Sequence, residues 1–309
     1  MFSRLRWAAM AGALLVLAAG CAPRETLVTE VAQFTRYREK QAGFSPQELG
    51  WINANCPFGM PAKTWPFGET KIIARQDYVL EHSTRRKTPL WVCERVTAEQ
   101  LKGPYDRKKL KPGEPFKPDP KLAQGKRAEL ADYRGHKDIL DRGHMAPVGD
   151  ETRDLTLMAE TYFLSNMVPQ DSKTNQGIWA KLEHLCREWA KARGEVFIIT
   201  GGFVYDPAEE DEATADGLQT HKTIGANRVA VPTHVYKIVV AKAASGKYEA
   251  IAFVLENKHH PGLSIQGLGE KTHPVRWVEE RTGLNFMPKL QDADSVETTT
   301  ANTLWQSNN

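Results

Sequence analysis

The residues best suited to chemistry lie in one short string, Asp141–Pro147, which reads DRGHMAP. His144 can serve as a general base, because the unperturbed pKa of imidazole lies close to neutrality. Arg142 can offer a fork of donors to phosphate oxygens. Gly143, which lacks a Cβ, would let the backbone approach a substrate closely. Asp141 is too short to share that work, so we expect it to hold the loop or to orient a neighbour by hydrogen bonds.

Amide and carboxylate side chains follow downstream at Asn166, Asn175 and Glu183, the last two in a Trp-bearing helical segment. Hydrolysis of a phosphodiester needs a positioned water, a base, and positive charge for the pentacovalent phosphorus and the leaving oxygen. A histidine base, an arginine and oxygen ligands that suit a hard metal ion would supply those parts. The pattern therefore favours a metal-dependent nuclease.

Each of these residues also has a structural interpretation. Asn175 could cap a helix, Glu183 could be an exposed helical acid, and a single histidine is commonly a hydrogen-bonded surface or core residue. We keep that interpretation for most other histidines, and His184, beside Glu183, is a weaker candidate for a direct role. For His144, Asn175 and Glu183 the joint occurrence favours the catalytic interpretation.

Three further strings carry a family resemblance: ADYRG at Ala131–Gly135, LSNMVPQ at Leu164–Gln170 and NQGIWAKLE at Asn175–Glu183. Together with the histidine string they resemble the DNA/RNA non-specific endonucleases with a ββα-metal site, most closely the endonuclease G branch. The resemblance covers most of Tyr78–Pro288. It implies an α+β fold of the His-Me finger type, in which helices flank a mostly antiparallel central sheet.

The resemblance also implies roles for the site residues. His144 is then the general base, and Asn175 is the direct protein ligand of a single Mg²⁺ ion, for which Mn²⁺ can substitute. Glu183 acts in catalysis by holding metal-bound waters, Asn166 shapes the site, and Arg142 contacts phosphate or stabilises the site. The choice of metal agrees with its chemistry, because Mg²⁺ keeps several waters and takes one or two protein oxygen ligands.

Helical geometry tests the pairing of Asn175 with Glu183. At about 100° per residue the two lie roughly 80° apart around the axis and about 12 Å apart along it. Both can border one cleft, but both cannot bind one ion directly. This favours Glu183 acting through water, unless Asn175 precedes the helix and bends inward. The family's further arginine comes from the long loop before the histidine, where Arg107 is the nearest candidate.

The elements that must position these residues are predicted from hydrophobic periodicity. One helix runs from Gln176 to Ala192, and Gly194 ends its apolar pattern. Strands lie before and after it, which indicates an α+β layout with a mostly antiparallel sheet. The predicted strands are 78–82, 90–97, 196–200, 235–240 and 250–255. The Lys-, Pro- and Asp-rich connection 98–135 is too long for a passive turn, so we expect it to line a site.

The first residues have the order of an export signal. Two arginines precede an apolar run, Ala8–Leu17, which is too short to span a bilayer, and small residues then lead to Cys21. This resembles a bacterial lipoprotein signal, in which residues 1–20 are removed and Cys21 is lipidated. Because Ala18 stands where lipoproteins prefer Leu, cleavage to a soluble secreted form is the alternative. We expect a membrane-anchored protein of the bacterial envelope, in the periplasm or at the cell surface.

Composition places the rest of the chain among globular proteins, with 41 basic and 38 acidic residues. We predict a tether over residues 21–50, the endonuclease domain over 51–290 and a disordered tail over 291–309. The net charge of the chain does not indicate a polyanionic partner, although the stretch 101–127 is basic. Three cysteines remain beyond Cys21, so at most one internal disulfide can form after export.

The resulting hypothesis is an exported, Mg²⁺-dependent endonuclease that cuts DNA and RNA with little sequence preference, because contacts to phosphate and metal do not distinguish bases. The resemblance implies 5′-phosphate products and pairing into a homodimer. Two alternatives stay open: a lipoprotein that binds nucleic acid without cutting it, and a structural envelope protein. Serine or zinc protease chemistry is disfavoured, because Gly262–Gln266 lacks the second glycine of a nucleophile elbow and no His-Glu-x-x-His string occurs.

Overall fold

A computed structural model describes residues 43–110, 115–136, 138–205, 221–301 and 303–306. The chain divides into two units at residue 50, and the described residues of the second unit, 50–309, are compact. The predicted signal peptide, the lipidated cysteine at position 21 and most of the predicted tether lie outside the described residues. In the ranges that are described, no helix is both long enough and apolar enough to cross a membrane.

The end of the predicted tether is helical, which corrects the boundary placed at residue 50. The helix Pro46–Asn55 begins at a capping box, in which Glu48 N donates to Ser45 Oγ at 3.2 Å and Ser45 N donates to Glu48 Oε2 at 3.1 Å. Pro46 suits the first helical position, because the N–H that it lacks would have no helical partner there. These local signals outweigh the polar composition that suggested a tether.

The helices and strands of the described ranges are as follows. The α-helices are Pro46–Asn55, Leu155–Glu160, Ser172–Thr174, Ala180–Arg193, Val275–Thr282 and Ala293–Thr298. The strands are β1 Ala62–Lys63, β2 Thr70–Ala74, β3 Val79–Ser83, β4 Thr88–Thr97, β5 Leu140–His144, β6 Met167–Asp171, β7 Glu195–Phe203, β8 Thr223–Ile224, β9 Val229–Ala230, β10 His234–Lys242, β11 Tyr248–Glu256, β12 Thr272–His273 and β13 Leu284–Asn285.

The centre of the second unit is a seven-stranded sheet in the order β12-β11-β10-β7-β4-β3-β2. Every neighbouring pair in it is antiparallel, which confirms the predicted fold class. The five predicted strands correspond to β3, β4, β7, β10 and β11. A residue in the left-handed backbone conformation lies in each of two hairpin turns. Lys87, at φ 60°, lies between β3 and β4, and Gly246, at φ 82°, lies between β10 and β11.

Apolar side chains alternate along the strands and build a core on both faces of the sheet. On one face, Val196 of β7 belongs to a buried cluster with Trp189 of the helix Ala180–Arg193. On the other face, Phe197 meets Phe58 edge to face, with 5.3 Å between ring centroids. Successive strand residues therefore serve opposite layers, as the two-residue period of a strand requires.

A strand–strand–helix unit carries the predicted site. β5 and β6 form an antiparallel ribbon, after which Asp171 Oδ1 accepts a hydrogen bond from Thr174 N at 2.8 Å and caps a short helix. A wide turn, Asn175–Trp179, follows, and Gly177 departs from helical geometry with φ −102° and ψ −106°. The helix Ala180–Arg193 then continues. This succession agrees with the ββα-metal nuclease fold that the resemblance implied.

The described residues of the predicted disordered tail 291–309, which are 291–301 and 303–306, correct that prediction for the part they cover. A helix spans Ala293–Thr298, and Val296 in it is buried. Trp305 packs on Trp189 with 5.1 Å between ring centroids, and its carbonyl accepts a hydrogen bond from Trp189 Nε1 at 2.9 Å. The few apolar residues of this stretch pack individually against the core, so they form no periodic pattern in the sequence.

Candidate active site

Close packing between β5 and β6 places His144 at the end of β5. Gly143 lies opposite Val168, and His144 lies opposite Met167. A Cβ on Gly143 would lie 2.2 Å from Gln170 Oε1 and 2.7 Å from Gln170 Cβ. Gly143 is buried, so glycine serves the packing of the two strands, and the approach of its backbone to a substrate stays a prediction.

Asn166 holds the chain immediately after His144. Its Oδ1 accepts from Ala146 N at 2.9 Å, and its Nδ2 donates to the carbonyls of Ala146 and Thr161, both at 2.9 Å. The side chain is fully buried, and each of these bonds goes to backbone. Asn166 therefore supports the chain that leaves His144 from beneath, and its predicted catalytic and site-shaping roles stay predictions.

Asp141 joins the ribbon to the helical turn through its carboxylate. Oδ2 accepts from Asn175 Nδ2 and from Gln176 Nε2, each at 2.8 Å, and Oδ1 accepts from Ser172 Oγ at 2.9 Å. The expectation that Asp141 orients a neighbour is therefore confirmed. Because a carboxylate only accepts hydrogen bonds, Asn175 must turn its NH₂ group toward Asp141 and its carbonyl oxygen away. Asn175 is thus not the N-cap of the helix, and its carbonyl oxygen is directed away from Asp141.

A cavity of about 870 Å³ brings several predicted residues together. The ribbon contributes Asp141, Arg142 and His144 to its lining, and the helical turn contributes Asn175. The predicted histidine, arginine and amide, which are up to 33 positions apart in sequence, thus line one cavity. That juxtaposition can present a base, a cation and an oxygen ligand to one substrate.

The long connection 98–135 supplies another part of the wall, as expected from its length. Arg107, Phe116, Tyr133 and Arg134 line the same cavity, so the candidate loop arginine Arg107 lies at the site. With Arg107, Arg134 and Arg142 on its lining, the cavity suits an anionic ligand.

A buried ion pair anchors this connection. Asp119 is fully buried and its Oδ2 accepts from Arg75 at 2.7 Å and from Ser165 Oγ at 2.5 Å. Burial alone would raise the pKa of Asp119, but the charge of Arg75 and these hydrogen bonds bring the pKa below its usual value. Arg75 also pairs with Glu160 at 3.0 Å. The connection therefore has a fixed point three residues beyond Phe116.

His144 lies in an aromatic slot. Its ring packs edge to face on Tyr162 with 5.0 Å between centroids, and it lies 5.5 Å from the ring of Phe116. Within the described part of the chain, His144 Nε2 is buried and has no hydrogen-bond partner. Burial, and then the charges of Arg107 and Arg142, lower the pKa of His144 from 6.5 to about 3. The imidazole is therefore neutral at physiological pH and able to accept a proton.

Arg142 contacts the ring of Phe116, which also lies beside His144. Its guanidinium carbon lies 4.0 Å from the centroid of the Phe116 ring, which is a cation–π contact. The contact holds the guanidinium plane over the ring while Arg142 remains part of the cavity wall. One aromatic side chain of the long connection therefore positions both the base and the cation of the ribbon.

The structure does not bring Glu183 to this cavity lining. Its carboxyl interacts with Lys237, Asp150 and Arg187, and burial raises the pKa of Glu183 to about 7. The angular relation between Asn175 and Glu183 expected for one continuous helix does not apply, because Gly177 interrupts that helix. The metal-binding and catalytic roles of Glu183 stay predictions.

Several residues of the site were not singled out in the sequence. Phe116 and Tyr162 gave no signal, because their importance comes from contacts with residues distant in the chain. Tyr133, Arg134 and Gln176 could have been found, because they belong to strings that carry the family resemblance.

Known proteins resemble this chain in sequence and in structure. Residues 59–293 match the family model for DNA/RNA non-specific endonucleases. Mitochondrial nuclease EXOG of Danio rerio is 37% identical over 219 residues, which are 70% of this chain and 60% of that protein. Mitochondrial endonuclease G of Homo sapiens is 32% identical over 245 residues, 79% of this chain and 77% of that protein. The chain thus spans about three fifths of the length of the EXOG relatives that it matches.

A solved structure agrees with these sequence relatives. The crystal structure of the EndoG/EndoGI complex, which concerns the mechanism of EndoG inhibition, contains a chain with a TM-score of 0.68 to this one and 31% identity. The match covers 84% of this chain and 98% of that chain. Fold and sequence therefore point to the same relatives.

Replacing Gly143 with Ala should lower the free energy of unfolding by about 2 kcal/mol, because the added methyl group overlaps Gln170 in a packed ribbon. Gly269→Ala is the matched control, since a Cβ there meets no atom within 4 Å. Urea denaturation of both variants measures the effect. Equal midpoints for the two variants would show that the ribbon has room at Gly143.

Proposed function

The chain belongs to the DNA/RNA non-specific endonuclease family, and on that premise we propose that it hydrolyses internal phosphodiester bonds of DNA and RNA with little sequence preference. One observation carries the proposal: the imidazole of His144 and the amide of Asn175 line one cavity together with Arg142. The residues there suit recognition of phosphate, which every nucleotide presents, and this explains the expected lack of sequence preference.

In the proposed reaction, His144 accepts the proton of the attacking water. Because its pKa is lowered to about 3, the ring is neutral before substrate arrives and needs no prior deprotonation. Arg142 and Arg107 bind the phosphate oxygens and stabilise the charge that accumulates at phosphorus. The bound phosphate offsets the arginine charges that lower the pKa of His144, so the complex holds a stronger base than the free protein.

The donor set also suits a hydrated divalent ion. In the described residues no three His, Cys, Asp or Glu side chains form a metal cluster, so Zn²⁺ is disfavoured and an ion that keeps its waters is favoured. Asn175, whose NH₂ is held by Asp141, would offer its carbonyl oxygen to Mg²⁺ or Mn²⁺. When bound, the ion supplies positive charge to the leaving 3′ oxygen, consistent with 5′-phosphate products. Glu183 enters the proposal only through water, because it does not line the cavity.

We propose further that the protein is exported and held at a bacterial membrane by a lipid on Cys21. The support is the order of the first residues alone: arginines, a short apolar run and small residues before a cysteine. Secretion in soluble form after ordinary cleavage is the alternative. Pairing into a homodimer is proposed on the family resemblance.

Purified mature protein should degrade both supercoiled plasmid and RNA in Mg²⁺ buffer, and excess EDTA should abolish the cleavage, because the ion is part of the site. His144→Ala should lower the rate at least about a hundredfold, since general bases contribute at that scale. Circular dichroism checks that the variant is folded. Nucleic acid that is shifted in a gel but never cut would favour the binding-only alternative, and undiminished cleavage by His144→Ala would remove the assigned base.

Asp141→Asn should lower the affinity of the site for Mg²⁺ roughly ten- to a hundredfold, because the substitution removes a group that orients a metal ligand. The new amide would face the NH₂ groups of Asn175 and Gln176 with donors of its own. Calorimetric titration with Mn²⁺ and the Mg²⁺ dependence of cleavage measure the change. Asp294→Asn, which alters an 88% exposed carboxylate, is the control; equal Mn²⁺ affinities in the two variants would remove Asp141 from metal binding.

The pH dependence follows from the lowered pKa of His144. The ring stays in its neutral, active form down to about pH 3, so kcat/KM should show no loss from this group between pH 6.5 and 5. The acid limb of the kcat profile should lie at higher pH than that of kcat/KM, because bound phosphate raises the pKa of His144. The pH profile is measured on the residual oligonucleotide cleavage by Glu183→Gln. The pKa of Glu183 is itself about 7, so its protonation would overlap with the profile of His144 in the wild-type protein. A tenfold loss of kcat/KM per pH unit below 6.5 in that variant would contradict the assignment.

A further inference from the structure

One large apolar side chain lies exposed at the rim of the site. In the described part of the chain, Ile139 is the exposed large hydrophobic residue, with 66% of its surface open to solvent. It directly precedes Leu140, which lines the cavity, and it follows Gly135, another lining residue, by four positions. Ile139 therefore lies next to the proposed phosphate site without being part of its lining.

The backbone fixes Ile139 in this exposed place. The carbonyl of His136 accepts from Ile139 N at 3.1 Å and from Leu140 N at 2.9 Å, which closes a tight turn. Asp138 within that turn has φ 73°, a left-handed conformation that costs energy in a residue with a Cβ. The two bonds to His136 therefore fix the backbone at Ile139.

The turn is also bonded to the machinery of the site. Ile139 O accepts from Ser172 N at 3.1 Å, and the hydroxyl of the same serine donates to Asp141 Oδ1 at 2.9 Å. Asp141 in turn holds Asn175. The position of Ile139 is therefore coupled to that of the proposed metal ligand through two hydrogen-bonded residues.

The surroundings favour a polyanion as the molecule that covers Ile139. Arg134 and Arg142 line the adjoining cavity, so the surface beside Ile139 is positively charged. One isolated isoleucine is far smaller than a stable protein–protein interface, which buries about 800 Å² per partner. A nucleic-acid strand fits both features, since it offers phosphate to the arginines and apolar base faces to the isoleucine.

We propose that Ile139 inserts against the bases beside the scissile phosphate and partly unstacks them, an inference that rests on the proposed nuclease function. Apolar side chains at such positions act as wedges that kink a duplex. The protein should then favour steps that unstack easily, such as pyrimidine–purine steps, while it reads no base edge. Ile139 thereby sets where along a strand the enzyme cuts, and the residues of the cavity perform the cleavage.

The first experiment detects the unstacking without chemistry. A duplex with 2-aminopurine at a central TA step is titrated with His144→Ala protein in EDTA, and fluorescence is expected to rise as the probe leaves the stack. Adding Ile139→Ala should abolish at least half of the rise at saturation, whereas Ile139→Leu should retain it. An equal rise with isoleucine, leucine and alanine would overturn the proposal.

The second experiment separates an apolar contact from a phosphate contact. Ile139→Ala should weaken duplex binding roughly fivefold to tenfold at every salt concentration, because the apolar area it loses carries no charge. The slope of log affinity against log salt should stay the same. Arg134→Ala is the matched comparison, and its slope should fall by about one, as loss of one phosphate contact predicts. A reduced slope for Ile139→Ala, or a changed oligomeric state with unchanged binding, would overturn the wedge.

Failure of the wedge and failure of the nuclease proposal can be told apart. If the wild-type protein cuts plasmid in Mg²⁺ and the isoleucine and alanine proteins choose the same cleavage steps on a sequenced fragment, only the wedge is wrong. A shift of the alanine protein away from pyrimidine–purine steps supports it. If the wild-type protein cuts nothing and binds no duplex, the proposed function fails and the wedge fails with it.

Discussion

The geometry of this site depends on the hydrogen bonds that the carboxylate of Asp141 accepts. Asp141 accepts from Ser172, Asn175 and Gln176, and these three residues begin the helical part of the ββα unit. Without an anion at this point, two amides and a hydroxyl would lack a common acceptor, and β5 would lose its side-chain bonds to Asn175 and Gln176. The carboxylate also decides which end of Asn175 faces the cavity, so one acceptor sets both the geometry and the chemistry of the site.

Rigid packing beneath the cavity keeps the histidine in place. The missing side chain of Gly143 brings the two strands together, and Asn166 clamps the chain that leaves His144 through backbone bonds. Phe116 and Tyr162 then enclose the imidazole from outside the ribbon. Each contact restricts a different degree of freedom, so the imidazole is held in place before any ligand binds.

Much of this could be predicted, and the failures have physical causes. Periodicity found the strands and the helix, since their apolar faces must alternate to fill the core, and the strings around His144 and Asn175 identified the site. Composition misjudged Pro46–Asn55 and the described part of the tail, because a capping box and single anchored residues such as Trp305 leave no periodic signal. Helical extrapolation to Glu183 failed at Gly177, a break in backbone geometry that no regular spacing contains.

The anchoring of the long connection by Arg75 and Asp119 has an evolutionary consequence. The ribbon that carries Arg142 and His144 is fixed by its own strand pairing, whereas the segment with Phe116 is fixed by the buried ion pair between Arg75 and Asp119. Changes in length or charge between these two fixed points can be tolerated without moving His144. Related enzymes could therefore acquire new substrate ranges by editing one loop while the reaction centre is inherited intact.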